Sequence, residues 1–272
     1  MRENLFPADI AMTPATASLH AAGEAANPGA QAPLDLTIFV SCYNEEEFIV
    51  ATIEAVREAL REVGRVSYEI IVVDDCSKDR SSEVVRSYIT DHPDERLLLR
   101  TNKINRGLAQ NYLDAAFIGK GKYYRLICGD NAEPKDTMIA VFKAIGKADI
   151  IIPYYATSEG RSLYRRSLSN VYTGIVNMVS GFRLHYYNGL AVHLRYNVMR
   201  WHPNTRGFGF QADIISMLLD QGFDYNEVPV RTVERRASGS SNALTFKNML
   251  SVAHTLVDLV FRRAANWVYR RK

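Results

Sequence analysis

The chain has 272 residues, 47% of them apolar and 23% charged, with a formal net charge of +3. That suits an ordinary globular protein of one large or two small domains and excludes a fibrous or wholly disordered one. Cys42, Cys76 and Cys128 are odd in number, far apart and without a CxxC pair, which excludes a disulfide framework and fits free thiols in a reducing cytosol.

Residues 1–33 are rich in Ala, Thr, Ser, Gly and Pro and poor in large apolar side chains, so they read as a disordered tail without a secretory h-region. From residue 34 the chain alternates apolar runs with helical periodicity. Strands are expected at 36–43, 68–77, 95–101, 122–130 and 148–154. Helices are expected at 45–64, with acids in the first turn and Gly64 as its stop, and at 79–90, 106–120 and 135–147. The second half is less regular: a helix at 164–182, a strand at 188–195 placed at a sheet edge, a helix at 209–222, a strand at 223–230 and a helical region at 244–268. No internal repeat occurs, and no run reaches the ~18 apolar residues a membrane span needs.

Repeated strand–helix units imply an α/β fold with a mostly parallel sheet between helices, and such sheets bind ligands beyond the carboxyl ends of their strands. Asn44 and Glu45 follow the first strand, Asp74 and Asp75 end the second and Asp130 ends the fourth, so a parallel sheet gathers them on one rim. A carboxylate there either caps the next helix or holds a divalent cation with phosphate oxygens. Asp130 is the first ligand candidate and Glu133 the second. Adjacent strand positions point to opposite faces, so one of Asp74 and Asp75, expected to be Asp75, faces the rim.

The stretches "FVSCYNEEEFI", "IIVVDDCSKD", "NRGLAQNYLDAAF" and "RLICGDNAEP", in this order and spacing, resemble the first half of the inverting family-2 glycosyltransferases of GT-A fold. The nearest branch is that of dolichyl-phosphate mannosyltransferase and the polyprenyl-phosphate hexosyltransferases, and the similarity spans roughly residues 36–242. The resemblance implies that Tyr43, Asn44, Glu45, Asp74, Asp75 and Arg106 bind the nucleotide diphosphate. It implies Mg²⁺ or Mn²⁺ at Asp130, with Glu133, Asn188 and Gln211 as further candidate ligands. The family's D-x-D motif is incomplete, because Cys128 stands at its first acid and a thiol suits a hard cation poorly. Arg166 with Ser169 matches the family's R-x-x-S. Arg236 with Gly239 and Ser241 matches its R-x-x-G-x-S-K, with Asn242 in place of the Lys. Arg166 and Arg236 become phosphate clamps, and Asp213 the acid near the acceptor.

These parts imply a hexosyltransferase working from a GDP- or UDP-sugar. A polyprenyl phosphate acceptor needs no general base, whereas a glycan or glycolipid hydroxyl needs a carboxylate, for which Asp213 is the candidate. A non-catalytic nucleotide-sugar module is the other class left open. A nucleotidyltransferase is disfavoured because "SCYNEEEF" is acidic where a basic triphosphate loop belongs.

From Arg235 to Lys272 there are eight basic residues against Asp258 alone, a local charge of +7. No nucleic-acid readout motif accompanies them. The expected organisation is a tail at 1–33, a transferase domain at 34–242 (nucleotide-binding half 34–153, acceptor half 154–242) and an amphipathic basic helix at 243–272. That helix is expected to rest on the cytoplasmic membrane face or on a twin chain.

Overall fold

The computed structural model describes residues 34–94, 96–157, 163–202 and 209–231, and 256–257, 259–265 and 268–269 in the C-terminal stretch. The expectations for the tail at 1–33 and for Arg236 lie outside these residues.

Seven strands form one sheet: β1 (Leu36–Cys42), β2 (Tyr68–Asp74), β3 (Leu97–Thr101), β4 (Tyr123–Cys128), β5 (Ile150–Thr157), β6 (Val192–Leu194) and β7 (Tyr225–Arg231). Their order is β3-β2-β1-β4-β6-β5-β7. β6 runs antiparallel to both its neighbours, and the other strands share one direction. The expectation of an edge strand at 188–195 is corrected: β6 is three residues long and interior. Its neighbours β4 and β5 hydrogen-bond it from both sides.

The helices are α1 (Ile49–Val63), α2 (Ser81–Asp91), α3 (Leu108–Ile118), α4 (Lys135–Lys143), α5 (Leu163–Ser180), α6 (Arg195–Met199) and α7 (Phe210–Asp220). Glu45–Glu47 lie before α1, whose first turn holds no acid; the helix starts at Ile49 because the Glu45 carbonyl already accepts the N–H groups of Phe48 and Ile49 in a turn.

The alternation of strand side chains makes two cores. Leu36, Ile38 and Val40 of β1 face α1, α2 and α4, while Phe39 packs with Tyr112 of α3 and the helices of the second half. Both sheet faces are covered, as the apolar runs of β1 and β2 require. The sheet thereby presents the carboxyl ends of β1, β2 and β4 side by side, with Cys42 level with Asp74 and Ser41 with Cys128.

Candidate active site

Each of these three strands ends in a sharp turn. Among the described residues the only non-glycines with positive φ are Asn44 (57°), Cys76 (64°) and Asn131 (50°), one after each strand. Asn tolerates the left-handed region better than other side chains, and Cys76 has no such excuse, so the loops hold local strain at the rim. The first two loops are laced together. Asn44 N–H donates to Ser77 Oγ (2.9 Å) and its Oδ1 accepts from Lys78 N–H (2.8 Å). Glu45 N–H donates to Ser81 Oγ (2.8 Å). Tyr43 is 44% exposed on the outer side of this loop.

Asp74 and Asp75 are both buried. Asp74 Oδ1 accepts from the Ser77 backbone (3.3 Å) and hydroxyl and so braces its own turn. Asp75, expected to face the rim, is held by the segment between β3 and α3. Its Oδ1 accepts from Asn102 (2.9 Å) and Arg106 N–H (2.8 Å), and its Oδ2 from Gly107 N–H (2.9 Å). Burial alone raises an Asp, but here the hydrogen bonds from Arg106, Asn111, Asn102 and Gly107 win and hold the carboxyl below its ordinary value. The Arg106 guanidinium points to α3, 2.5 Å from Asp114.

β4 ends against β1 with no room to spare. Gly129 N–H donates to the Ser41 carbonyl (2.9 Å), and the Gly129 carbonyl accepts from Thr52 Oγ1 (2.9 Å). Thr52 Oγ1 in turn accepts from Asn131 N–H (3.0 Å), so α1 fixes both residues that flank Asp130. Asp130 is half-buried; its Oδ1 accepts from Ala132 N–H (3.2 Å), and its Oδ2 has no partner among the described residues. Glu133 lies over the wholly buried Arg125 of β4, whose Nη2 is 2.5 Å from Glu133 Oε1. Glu133 Oε2 is buried without a partner among the described residues. The Cys128 thiol is pushed up to about 12 by burial first, and then by the fields of Asp130, Glu133 and Glu45, which therefore converge on it. It stays protonated at neutral pH, and a thiol suits a hard cation poorly.

Among the described residues no three His, Cys, Asp or Glu side chains cluster to ligate one ion. The donors that remain are two carboxylate oxygens, from Asp130 and Glu133, one of them an orphaned buried atom. Such a set fits a small hard cation whose other ligands are waters and substrate phosphates.

The second half of the chain builds another polar cleft. Arg166, Ser169 and Asn170 of α5 line a space of about 140 Å³ with Tyr155, His185 and Tyr186. His185 stacks on Tyr154, and its Nδ1 is 2.8 Å from Glu227 Oε2 of β7. Sequence reasoning missed His185, whose link to Glu227 joins residues 42 apart. Asn188 is exposed, one residue before Gly189, where a Cβ would meet the Pro153 carbonyl oxygen at 2.3 Å.

The other two expected residues lie away from the rim loops. Gln211 is buried on α7 beside His193, its side-chain atoms without a closed hydrogen bond among the described residues. Asp213 has both oxygens engaged, Oδ2 by Trp201 Nε1 (2.8 Å) and Oδ1 by Arg262 Nη1 (2.6 Å).

Comparison with known proteins adds to this geometry. The family described as Glycosyl transferase family 2 matches residues 37–202. A dolichyl-phosphate beta-glucosyltransferase of Trichomonas vaginalis is 24% identical over 265 residues, 87% of this chain and 74% of that enzyme. An undecaprenyl-phosphate mannosyltransferase of Micrococcus luteus is 25% identical over 75% of this chain and 86% of its own. A dolichyl-phosphate beta-glucosyltransferase of Dictyostelium discoideum is 32% identical, but over only 37% of this chain and 33% of that enzyme. Among solved structures, glucosyl-3-phosphoglycerate synthase of Mycobacterium tuberculosis with UDP shares the fold, at a TM-score of 0.62 and 14% identity over 84% of this chain and 80% of that one.

Proposed function

Because the chain belongs to glycosyl transferase family 2, we propose that it moves a hexose, with inversion, from a nucleoside-diphosphate sugar to the phosphate of a polyprenyl lipid. The observation that carries this reading is the polar cleft of the acceptor half, where Arg166, Ser169, Asn170 and His185 together offer a charge and several donors to a phosphate. The names of the Trichomonas and Micrococcus relatives point the same way. Asp213 fits it too, since a carboxylate held by Arg262 and Trp201 is not poised as a base, and an ionised phosphate needs none.

In this reading the loops after β1, β2 and β4 seat the nucleotide. A phosphate oxygen of the lipid attacks the anomeric carbon from the face opposite the diphosphate. The new C–O bond forms as the old one breaks, and the nucleoside diphosphate leaves with the bonding pair. Asp130 and Glu133 would hold Mg²⁺ or Mn²⁺, which when bound neutralises the charge that develops on the leaving diphosphate. Manganese accompanies UDP in a solved mycobacterial synthase of the same fold. The lipid acceptor of this reading puts the enzyme at a membrane surface, for which we assign the cytoplasmic face; among the described residues no helix is long and apolar enough to cross a membrane.

One observation favours a second reading. The His185–Glu227 pair has the form of a histidine base oriented by a carboxylate, which a hydroxyl acceptor would use.

The test is transfer from a panel of UDP- and GDP-sugars, with Mn²⁺, to vesicles containing polyprenyl phosphate, scored as organic-extractable product. Arg166→Ala and His185→Gln are expected to raise the acceptor KM about tenfold while kcat stays within a few-fold. If His185→Gln instead lowers kcat about 10²-fold or more and flattens the pH–rate profile, a hydroxyl is the acceptor. Sugar transfer to a glycan hydroxyl, with no lipid-phosphate product from any donor, overturns the proposal.

A further inference from the structure

We infer that the C-terminal helical segment and α5 form a membrane-docking face built inside out, with the arginines of the segment clamped to the domain and its apolar side turned outward to a bilayer of anionic lipids. The choice of a lipid occupant rests on the polyprenyl-phosphate reading above.

An amphipathic surface helix normally buries its apolar stripe and leaves its charges in water. Here the order is reversed. Leu259 anchors the segment in the core, and beside it Arg262 and Arg263 point inward. Arg262 Nη1 lies 2.6 Å from Asp213 and Arg263 Nη1 2.7 Å from Asp220, both carboxylates belonging to α7. The Arg263 guanidinium also lies over the Phe182 ring and fills the space that a side chain at Gly181 would take. These two charges are spent on the protein.

The opposite side of the segment is apolar and in water. Phe261 is 70% exposed, and Val257, Val260 and Val268 are exposed with it. At about 100° per residue Val257, Val260 and Phe261 fall within a stripe about 100° wide that faces away from Leu259. α5 adds a stripe of its own, Leu168, Val171 and Met178, the last 77% exposed. The two helices adjoin, since Arg263 packs on Gly181 and Phe182 just beyond the end of α5. Single exposed apolar residues are ordinary, but two neighbouring stripes mark a contact surface.

Charge selects the partner. With Arg262 and Arg263 neutralised, the bases left at this end are Arg270, Arg271 and Lys272, which follow Val268 and Tyr269 directly in the chain. An apolar stripe ending in an exposed tyrosine (78%) and three cations complements acyl chains under anionic headgroups. A second copy docked through the same face would set these cations against their own kind.

The experiment is flotation of the full chain with vesicles of neutral phosphatidylcholine and with vesicles enriched in phosphatidylglycerol. The chain is expected to float with the anionic vesicles at low salt and weakly with the neutral ones. Val260→Asp with Phe261→Asp should lower the partition coefficient about tenfold or more, and Met178→Asp several-fold, with far-UV circular dichroism and melting unchanged. Failure of the full chain to float, or flotation of both variants like the original, overturns the inference. So does a dimer, seen by light scattering without lipid, that the double variant dissolves. Flotation without any sugar transfer upholds this face and removes the proposed reaction; transfer to a short, water-soluble polyprenyl phosphate without flotation does the reverse.

Discussion

At Gly129 an added Cβ would stand 2.5 Å from the Ser41 carbonyl oxygen and 2.9 Å from Ile49 Cδ1. The first neighbour is backbone in the middle of the sheet and cannot yield cheaply. Gly129→Ala is therefore expected to lower unfolding free energy by about 1–3 kcal/mol, measured by denaturant titration. It should also depress kcat more than a remote substitution of equal cost, because Asp130 is the next residue. An alanine variant with wild-type stability and rate would show that β1 gives way. The requirement for Gly129 is not legible in the sequence, since it comes from a backbone 88 positions away. Asp130 is legible because it ends an apolar run. The missing acid at Cys128 is legible as well, and the geometry shows what stands near it: Glu133, held from beneath by Arg125.

Elements were easiest to read where one signal governs them. The strands of the first half are apolar runs between turn residues, and each lies within about three residues of its expected limits. β6 and α6 were not separable in the sequence, because "VHLRYNVM" has neither a clear period of two nor a cap between them. The link between α7 and the C-terminal segment was hidden for another reason: Asp213 and Arg262 are 49 residues apart, and an acid in the first turn of a helix has a local explanation in the helix dipole. This link gives a prediction at the same scale. Asp213→Asn should leave kcat with lipid phosphate within a few-fold, yet cost about 1–3 kcal/mol and speed amide exchange in residues 259–265. Loss of turnover with exchange unchanged would restore Asp213 as a base.

Across the whole molecule, His193 sets one limit on acid tolerance. It is wholly buried on β6, with both ring nitrogens unpartnered among the described residues, and burial lowers its pKa from 6.5 to about 4. A depressed histidine favours the folded state only while neutral. Its contribution is complete above pH 6.5 and is lost as the pH falls toward 4, in all about 3 kcal/mol. Asp75, Asp79 and Asp94 are held below their ordinary value, so their own losses belong below about pH 4. Melting temperature followed from pH 7 to 4 should fall for the wild type and much less for His193→Gln; parallel curves would assign the loss to other groups. The same short strand has a mechanical consequence. β6 pairs only with Tyr123–Arg125 on one side and Ile150–Ile151 on the other, and the chain leading into it wedges between β4 and β5, where Arg125 Nε grips the Leu190 carbonyl and Gly189 abuts Pro153. The two ends of the sheet are thus stitched into one plate, with no hinge line between them among the described residues. Any closure over a bound ligand must be carried by the loops riding on the rim, while the plate beneath stays still.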